Sequence, residues 1–350
     1  MAEPNKEPAA VTVRDIAKRL GVSASTVSRA LSQPDKVSNA RRLEIQRLAD
    51  SLGYRPNLAA RGLTTGQTKN IGVVVPDLDN PVFASLVKGA QARGRSWGYS
   101  VFVSDSEEDP RLETEFLRSF ENRVDGIVLF SPRMSSEMIQ EHAERLPTVL
   151  VNREVEAIPS LGVDDREAMR QAILHLRSLG HRLVGHISGP VGSWADRSRA
   201  EGLRLAIEET PDVQLAEFGR VAPAFSGGVA AADWVLDSGV TAVICYNDLV
   251  ALGVLHRLTD RGVPVPERLS IIGFDGITAG SYVTPSLTTL AVPSQRMGRD
   301  AVDLLLAQLE SPRATSPMHL PANLIVREST GVASGLDRDR SRPLTHTLSR

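Results

Sequence analysis

The chain has 350 residues, 41% of them apolar and 23% charged, with a formal net charge of −2. That length holds two or three domains and a substantial core, and the composition is the ordinary one of a soluble globular protein. No apolar run approaches the roughly 18 residues of a membrane span, the polar opening "MAEPNKEPAA" has no apolar signal core, and a single cysteine, Cys245, rules out an internal disulfide and fits a reducing cytoplasm. Charge is uneven. Residues 1–62 hold 11 Lys/Arg and 6 Asp/Glu, so a basic head precedes an acidic remainder. A basic head points to a nucleic-acid module; a solvated terminus that is basic by accident is the other reading.

Residues 1–10 read as disordered. "TVRDIAKRLG" (12–21) reads as a helix, with Thr12 and Asp15 as a capping box, Ile16, Ala17 and Leu20 as its apolar stripe and Gly21 as its stop. Gly21 permits a tight turn, and Ser23 caps the next helix. In "GVSASTVSRAL" (21–31), Val27 and Leu31 anchor that helix, while Ala24, Ser25, Ser28 and Arg29 lie on its exposed side. Small hydroxyls and one arginine suit phosphates and base edges. "SNARRLEIQRLADSLGY" (38–54) predicts a third helix, capped by Ser38, with Leu43, Ile45, Leu48 and Leu52 inward. Two short helices joined by a tight turn and closed by a third make a helix-turn-helix. "RPNLAARGL" (55–63) reads as a fourth short helix started at Pro56, and 64–70 as a polar linker.

After residue 70 the texture changes. "IGVVVPDL" (71–78), "YSVFVSDS" (99–106), "DGIVLFS" (125–131) and "PTVLVNRE" (147–154) are apolar β-branched runs, with helical stretches at 82–97, 111–122 and 135–146 between them. "RLVGHISG" (182–189), "TAVICYND" (241–248) and "LSIIGFDG" (269–276) repeat the pattern. The expected fold is α/β: a helix-turn-helix headpiece plus a two-lobed body of doubly wound parallel sheets. Ligands of such sheets bind at the C-terminal strand ends. Polar residues stand there: Asp77, Asp79 and Asn80; Asp105; Ser131; Asn152 and Arg153; Asn247 and Asp248; Asp275. A cleft so lined suits a small polyol.

The stretches "TVRDIAKRLGVSASTVSRAL", "YRPNLAARGLTTGQT", "IGVVVPDLDNPVFASLVKGA", "NDLVALGVL", "IIGFDG", "PSLTTL" and "LIVREST" resemble the lactose-repressor/purine-repressor (LacI/GalR) family of bacterial transcription regulators, over about residues 11–333. The resemblance implies a homodimer on pseudo-palindromic operator DNA, the second helix of each head in the major groove, and a hinge helix at 55–63 that forms on DNA. Ala24, Ser25 and Arg29 match base-contacting positions. Thr12, Ser23, Thr26 and Ser28 match phosphate contacts, Tyr54 and Asn57 backbone contacts beside the hinge, and Leu63 a lever wedged into the central base step. The alternative for Leu63 is packing against its own head.

The body resembles periplasmic sugar-binding proteins of the ribose type, with lobe one at about 71–161 and 293–320 and lobe two at about 162–292 and 321–335. Matching that pattern implies an effector site of Asn80, Phe83, Ser131, Asn152, Arg153, Arg197, Asn247 and Asp275. Phe83 would stack on a sugar face, Arg153 and Arg197 would donate, and Asp275 would accept from vicinal hydroxyls. Asn152 stands where the sugar binder has an aspartate, and Val82 replaces a second aromatic, which leaves "pentose or similar small sugar" as the class. The arginines could instead form ion pairs, and Phe83 ordinary core. Asp248 reads as the cap of the helix after it. Trp194 and Phe225 read as residues of loops that close over the cleft.

His181 and His186 flank one strand on opposite faces and do not suggest a metal site. No nucleotide loop or nucleophile elbow appears, so no cofactor and no catalytic set are expected. The arginine-rich tail 336–350 has no heptad and reads as disordered, so a dimer is expected rather than a tetramer. The expected function is a cytoplasmic repressor of sugar uptake or catabolism genes, released by a small sugar. The alternatives are a regulator answering to a phosphorylated sugar, a nucleoside or a partner protein, and a sugar receptor without DNA function, which leaves residues 11–63 unexplained.

Overall fold

The structure, a computed structural model, describes residues 11–32, 36–54, 67–311 and 316–334. The expected hinge helix 55–63, with Asn57 and Leu63, lies outside the described residues, as do the first ten residues and the tail 336–350. The chain divides after Thr68 into a head and a body.

In the head, α1 spans Val13–Leu20, α2 Ala24–Ser32 and α3 Asn39–Ser51. The capping box forms as read: the Thr12 N–H donates to Asp15 Oδ2 at 2.8 Å, and the Asp15 N–H donates to Thr12 Oγ1 at 3.4 Å. Gly21 closes α1 at φ 63°, in the left-handed region, and its N–H donates to the Ala17 carbonyl. Ile16, Ala17, Val27, Ala30, Ile45 and Ala49 are buried together, with Leu31, Leu48, Leu52 and Tyr54 packed against them. Leu43 departs from expectation and is 44% exposed. Ile45, Leu48, Ala49 and Leu52 follow the 3.6-residue period; Leu43 precedes Ile45 by two, about 200° around the helix, and so faces out. Ser38 stands at the start of α3 but makes no side-chain cap.

The body carries two six-stranded sheets. Strands β1 (Asn70–Val75), β2 (Ser100–Asp105), β3 (Gly126–Phe130), β4 (Thr148–Val151), β5 (Ser160–Val163) and β11 (Met318–Leu320) form the first, in the order β11-β5-β4-β3-β1-β2. Strands β6 (Leu183–Ser188), β7 (Gln214–Arg220), β8 (Ala242–Cys245), β9 (Ser270–Asp275), β10 (Thr288–Ala291) and β12 (Asn323–Ile325) form the second, in the order β12-β10-β9-β8-β6-β7. All the pairs are parallel except β10 with β12. Helices α4 (Pro81–Ser96), α5 (Pro110–Phe120), α6 (Ser136–Ala143), α7 (Asp165–Ser178), α8 (Trp194–Glu208), α9 (Phe225–Asp237), α10 (Asp248–Asp260) and α11 (Ser294–Glu310) alternate with them.

Seven strands lie where the apolar runs predicted them. Strands β5, β7, β10, β11 and β12 were not among the predicted runs. The chain passes between the sheets three times: after β5, between β10 and α11, and between β11 and β12. Central strands are buried on both faces, as in Val73 and Val74 of β1 and Ile271 and Ile272 of β9, because helices cover both sides. Close approach fixes one helix pair. A Cβ on Gly228 of α9 would run into the Val250 carbonyl of α10, and one on Gly253 into the Phe225 carbonyl.

Candidate functional site

The head presents an exposed polar face. Ala24, Ser25, Ser28 and Arg29 are exposed on α2 while Val27 and Ala30 are buried beneath. Ser23 accepts from the Thr26 N–H at 3.1 Å, and its hydroxyl lies 2.8 Å from both the Ser25 and the Thr26 hydroxyls. Arg29 is turned along the helix, its Nε donating to the Ser25 carbonyl at 3.2 Å. Tyr54 packs half-buried against the head core.

The body has its cavity where the topology places it. In each sheet the chain reverses direction at one point, between β1 and β3 and between β6 and β8, and the crevice opens outside the carboxyl ends of those strands. The cavity is lined from the first sheet by Asp77, Asn80, Val82, Phe83, Glu108, Ser131, Arg133 and Asn152, and from the second by Ala195, Arg199, Pro223, Tyr246, Asn247 and Asp275. Four of these residues hold left-handed backbone without being glycine: Glu108 (φ 60°), Ser131 (φ 47°), Asn152 (φ 53°) and Asp275 (φ 113°). Such conformations cost on the order of 1–3 kcal/mol each and gather at ligand sites.

The carboxylate end of the cavity is built around Asp275 and Arg199. Arg199 Nη2 lies 3.7 Å from Asp275 and its Nε 3.6 Å from Asp165, both of them buried. Arg199 Nη1 donates to the Tyr246 carbonyl at 2.6 Å, and its guanidinium lies 3.5 Å above the Phe274 ring. Burial pushes the Asp275 carboxyl up to about 6, against the pull of Arg199 and of a hydrogen bond from Asn80. Asn80 follows β1 of the first sheet and Asp275 ends β9 of the second. Asn80 also caps α4, accepting from the Val82 N–H at 3.2 Å.

At the other end, Arg133 grips Glu108, its Nη2 donating to Oε1 at 2.9 Å, and its Nη1 donates to the Ser131 carbonyl at 2.9 Å. The loop that carries Arg133 is pinned from below: the N–H groups of Arg133 and Met134 donate to the buried Glu113 carboxylate at 2.8 and 2.9 Å.

The structure brings together six of the eight expected effector residues: Asn80, Phe83, Ser131, Asn152, Asn247 and Asp275. Arg153 and Arg197 are not among the lining residues. They flank the Trp194 ring, at 5.1 and 5.2 Å from its centre. Arg197 is exposed; Arg199, two residues on and about 200° around α8, takes the inward place. Arg133 and Glu108 were missed because nothing local marks them; they follow strand ends, the one signal that could have found them.

Two further readings are corrected. Asn247, not Asp248, caps α10, accepting from the Val250 N–H at 2.9 Å. Asp248 is buried and accepts from Thr289 Oγ1 at 2.6 Å and the Ile277 N–H at 2.8 Å. Trp194 and Phe225 open helices α8 and α9 rather than lying on loops, and Phe225 packs on His256 with ring centres 5.3 Å apart. His181 spends both ring nitrogens, on Thr241 at 2.8 Å and the Gly331 carbonyl at 3.0 Å.

Comparison with known proteins follows the same division. Residues 12–57 match the profile "Bacterial regulatory proteins, lacI family", and residues 173–330 match "Periplasmic binding protein-like domain". The chain is 33% identical over 335 residues to the HTH-type transcriptional repressor CytR of Escherichia coli strain K12, covering 93% of this chain and 98% of that one. It is 31% identical to the ribose operon repressor of Halalkalibacterium halodurans over 338 residues, 91% of this chain and 97% of that one. Its fold matches the crystal structure of the lac repressor dimer bound to operator and the anti-inducer ONPF at a TM-score of 0.83, with 25% identity over 92% of this chain and 99% of that one.

Proposed function

The chain belongs to the lacI family of bacterial regulatory proteins, DNA-binding transcription regulators rather than enzymes, and from that premise we propose that it is a dimeric, cytoplasmic repressor of sugar uptake or catabolism genes, released from a pseudo-palindromic operator by a small pentose-like sugar bound between its lobes. On DNA, Ala24, Ser25 and Arg29 choose bases. Thr12, Ser23, Thr26 and Ser28 hold phosphates, and Tyr54 touches the backbone. The exposed hydroxyl face of α2 supports this assignment. The likeness to the lac repressor dimer on its operator supports the dimer.

One observation carries the effector reading: Glu108, Ser131 and Asn152 of lobe one and Asp275 of lobe two are held in left-handed backbone around one cavity. Each turns a polar group inward where a plain strand end would not. Asp275 accepts from two sugar hydroxyls, Arg199 and Asn152 donate, and Phe83 covers an apolar ring face. The likeness to a ribose operon repressor supports a pentose. A sugar that touches both lobes binds one lobe arrangement better than another. Only such a difference in affinity shifts an equilibrium towards release.

The test is a thermal-shift titration with D-ribose and a panel of pentoses and hexoses, followed by operator release with whichever binds. A ligand at about 100 times its Kd stabilises by roughly 2.7 kcal/mol, which at about 2–4 °C per kcal/mol is a shift of roughly 5–10 °C. A saturable shift with one free sugar and release of operator DNA by that sugar is the expected result. No shift with any free sugar overturns the sugar reading and leaves DNA binding untouched.

A further inference from the structure

Two ion pairs divide the cavity wall between them. At one end Arg199 faces Asp275 and Asp165. At the other, Arg133 is bound sideways to Glu108, and the Arg133 side chain is 5% exposed against 25% for Glu108. Both residues line the cavity. The chain strains to make this second pair: Glu107 and Glu108 take φ 50° and 60° in succession after β2. Hydrogen bonds from the Glu107 N–H to Asp105 at 3.0 Å and from the Glu108 N–H to the Pro76 carbonyl at 2.8 Å hold the turn.

A guanidinium has five N–H donors. Nε and one Nη2 hydrogen of Arg133 go to Glu108, and one Nη1 hydrogen goes to the Ser131 carbonyl. One N–H therefore remains on each terminal nitrogen, beside the cavity. Electrically the pair is close to neutral, and the remaining lining charges are no more inviting to an anion. Asp77 and Asp275 are acidic, and Arg199 already faces two carboxylates. Arg153 and Arg197, off the lining, stack on Trp194.

We propose that Arg133, neutralised by Glu108, is a specificity-determining residue of the cleft: its two spare N–H groups donate to an uncharged hydroxyl or carbonyl oxygen of the effector, and Glu108 turns phosphorylated sugars away. The proposal rests on the reading of the cleft as a sugar site and adds the charge of the ligand to it. A phosphate dianion placed here would sit beside Glu108, with Asp77 and Asp275 elsewhere on the same lining, in a medium that screens poorly, where like charges repel several times more than in water. Rejection by a built-in repulsive group is a common route to selectivity.

The experiment is isothermal titration of the full chain with D-ribose and with D-ribose 5-phosphate, in the wild type, in Glu108→Gln and in Arg133→Gln. In the wild type D-ribose binds, and the phosphate binds at least tenfold more weakly. Glu108→Gln frees the buried guanidinium and narrows that gap at least fivefold. Arg133→Gln weakens D-ribose by roughly tenfold, the scale of one charged hydrogen bond. Glu108→Ser, which keeps an acceptor for Arg133, replaces Glu108→Gln if that variant does not fold. Phosphate binding as tight as that of the free sugar overturns the proposal alone. So does a gap unchanged in a folded Glu108 variant. Binding of neither probe overturns the pentose reading, and the proposal falls with it.

Discussion

In the proposed sugar site Asp275 accepts most strongly from hydroxyls while it is ionised, and burial pushes its carboxyl up to about 6. A receptor whose competent form is partly populated binds more weakly by that fraction. Sugar affinity should therefore be level above about pH 7 and fall roughly tenfold near pH 5, as followed by titration calorimetry; a flat profile would remove Asp275 from the site. Asp275→Ala should abolish the effector response and leave operator affinity unchanged in a gel-shift assay. Asp248 gives a separate pH effect. Burial and the neighbouring Asp275 push it up to about 8, well above its ordinary value of 3.8. The folded chain then holds this proton more tightly than the unfolded chain does. Its contribution to stability is full below about pH 4 and is lost as pH rises towards 8. Asp248→Asn should flatten the decline in melting temperature between those limits. Of these residues Asp275 was legible in sequence, as the polar end of "IIGFD". The buried role of Asp248 was not: Asn247 and Asp248 are both good caps, and only the backbone decides which of two neighbours takes the position.

Helices give their own tests. Gly21 ends α1 at φ 63°, and a Cβ there would meet nothing within 4 Å. The cost of Gly21→Ala is thus conformational alone, about 1–2 kcal/mol, and a urea melt of the head should register it. Gly228 differs, because an added Cβ would collide with the Val250 carbonyl of α10. Gly228→Ala must push two helices apart, and overpacking of that kind costs about 1–3 kcal/mol. The head helices were legible because their caps at Thr12 and Ser23 and their apolar period agreed, although Ser38 makes no cap; Leu43 was misread because it is apolar but falls off the stripe of Ile45, Leu48 and Leu52. On α8 the sequence "DRSRAEGL" offers two arginines two residues apart. They point to opposite faces, and nothing local says which face the sheet will cover. The central strands announced themselves as β-branched runs. β7 ("QLAEFGR") is an edge strand whose polar residues fall three apart and so break the two-residue period, and β11 and β12 are three residues each, too short to carry a period.

At the scale of the whole molecule, operator affinity should fall steeply as salt rises, because the phosphate contacts of the head release counterions. A filter-binding series from 50 to 200 mM salt checks it, and a flat series would contradict contact between phosphates and the Lys/Arg excess of residues 1–62. The two-lobed plan was legible as a repeated alternation of runs. The three passages between lobes were not, since β11 and β12 each add an edge strand to a different sheet from a segment only eight residues long. That segment bears on the order of synthesis. Chains are made from the N-terminus, and domains fold as their sequence emerges. The head, with its own core, is complete as soon as residue 54 is out. Neither sheet of the body can close its last edge until residues 318–325 have been made. A nascent or prematurely ended chain therefore carries its DNA-reading part long before it carries the part that answers to the effector.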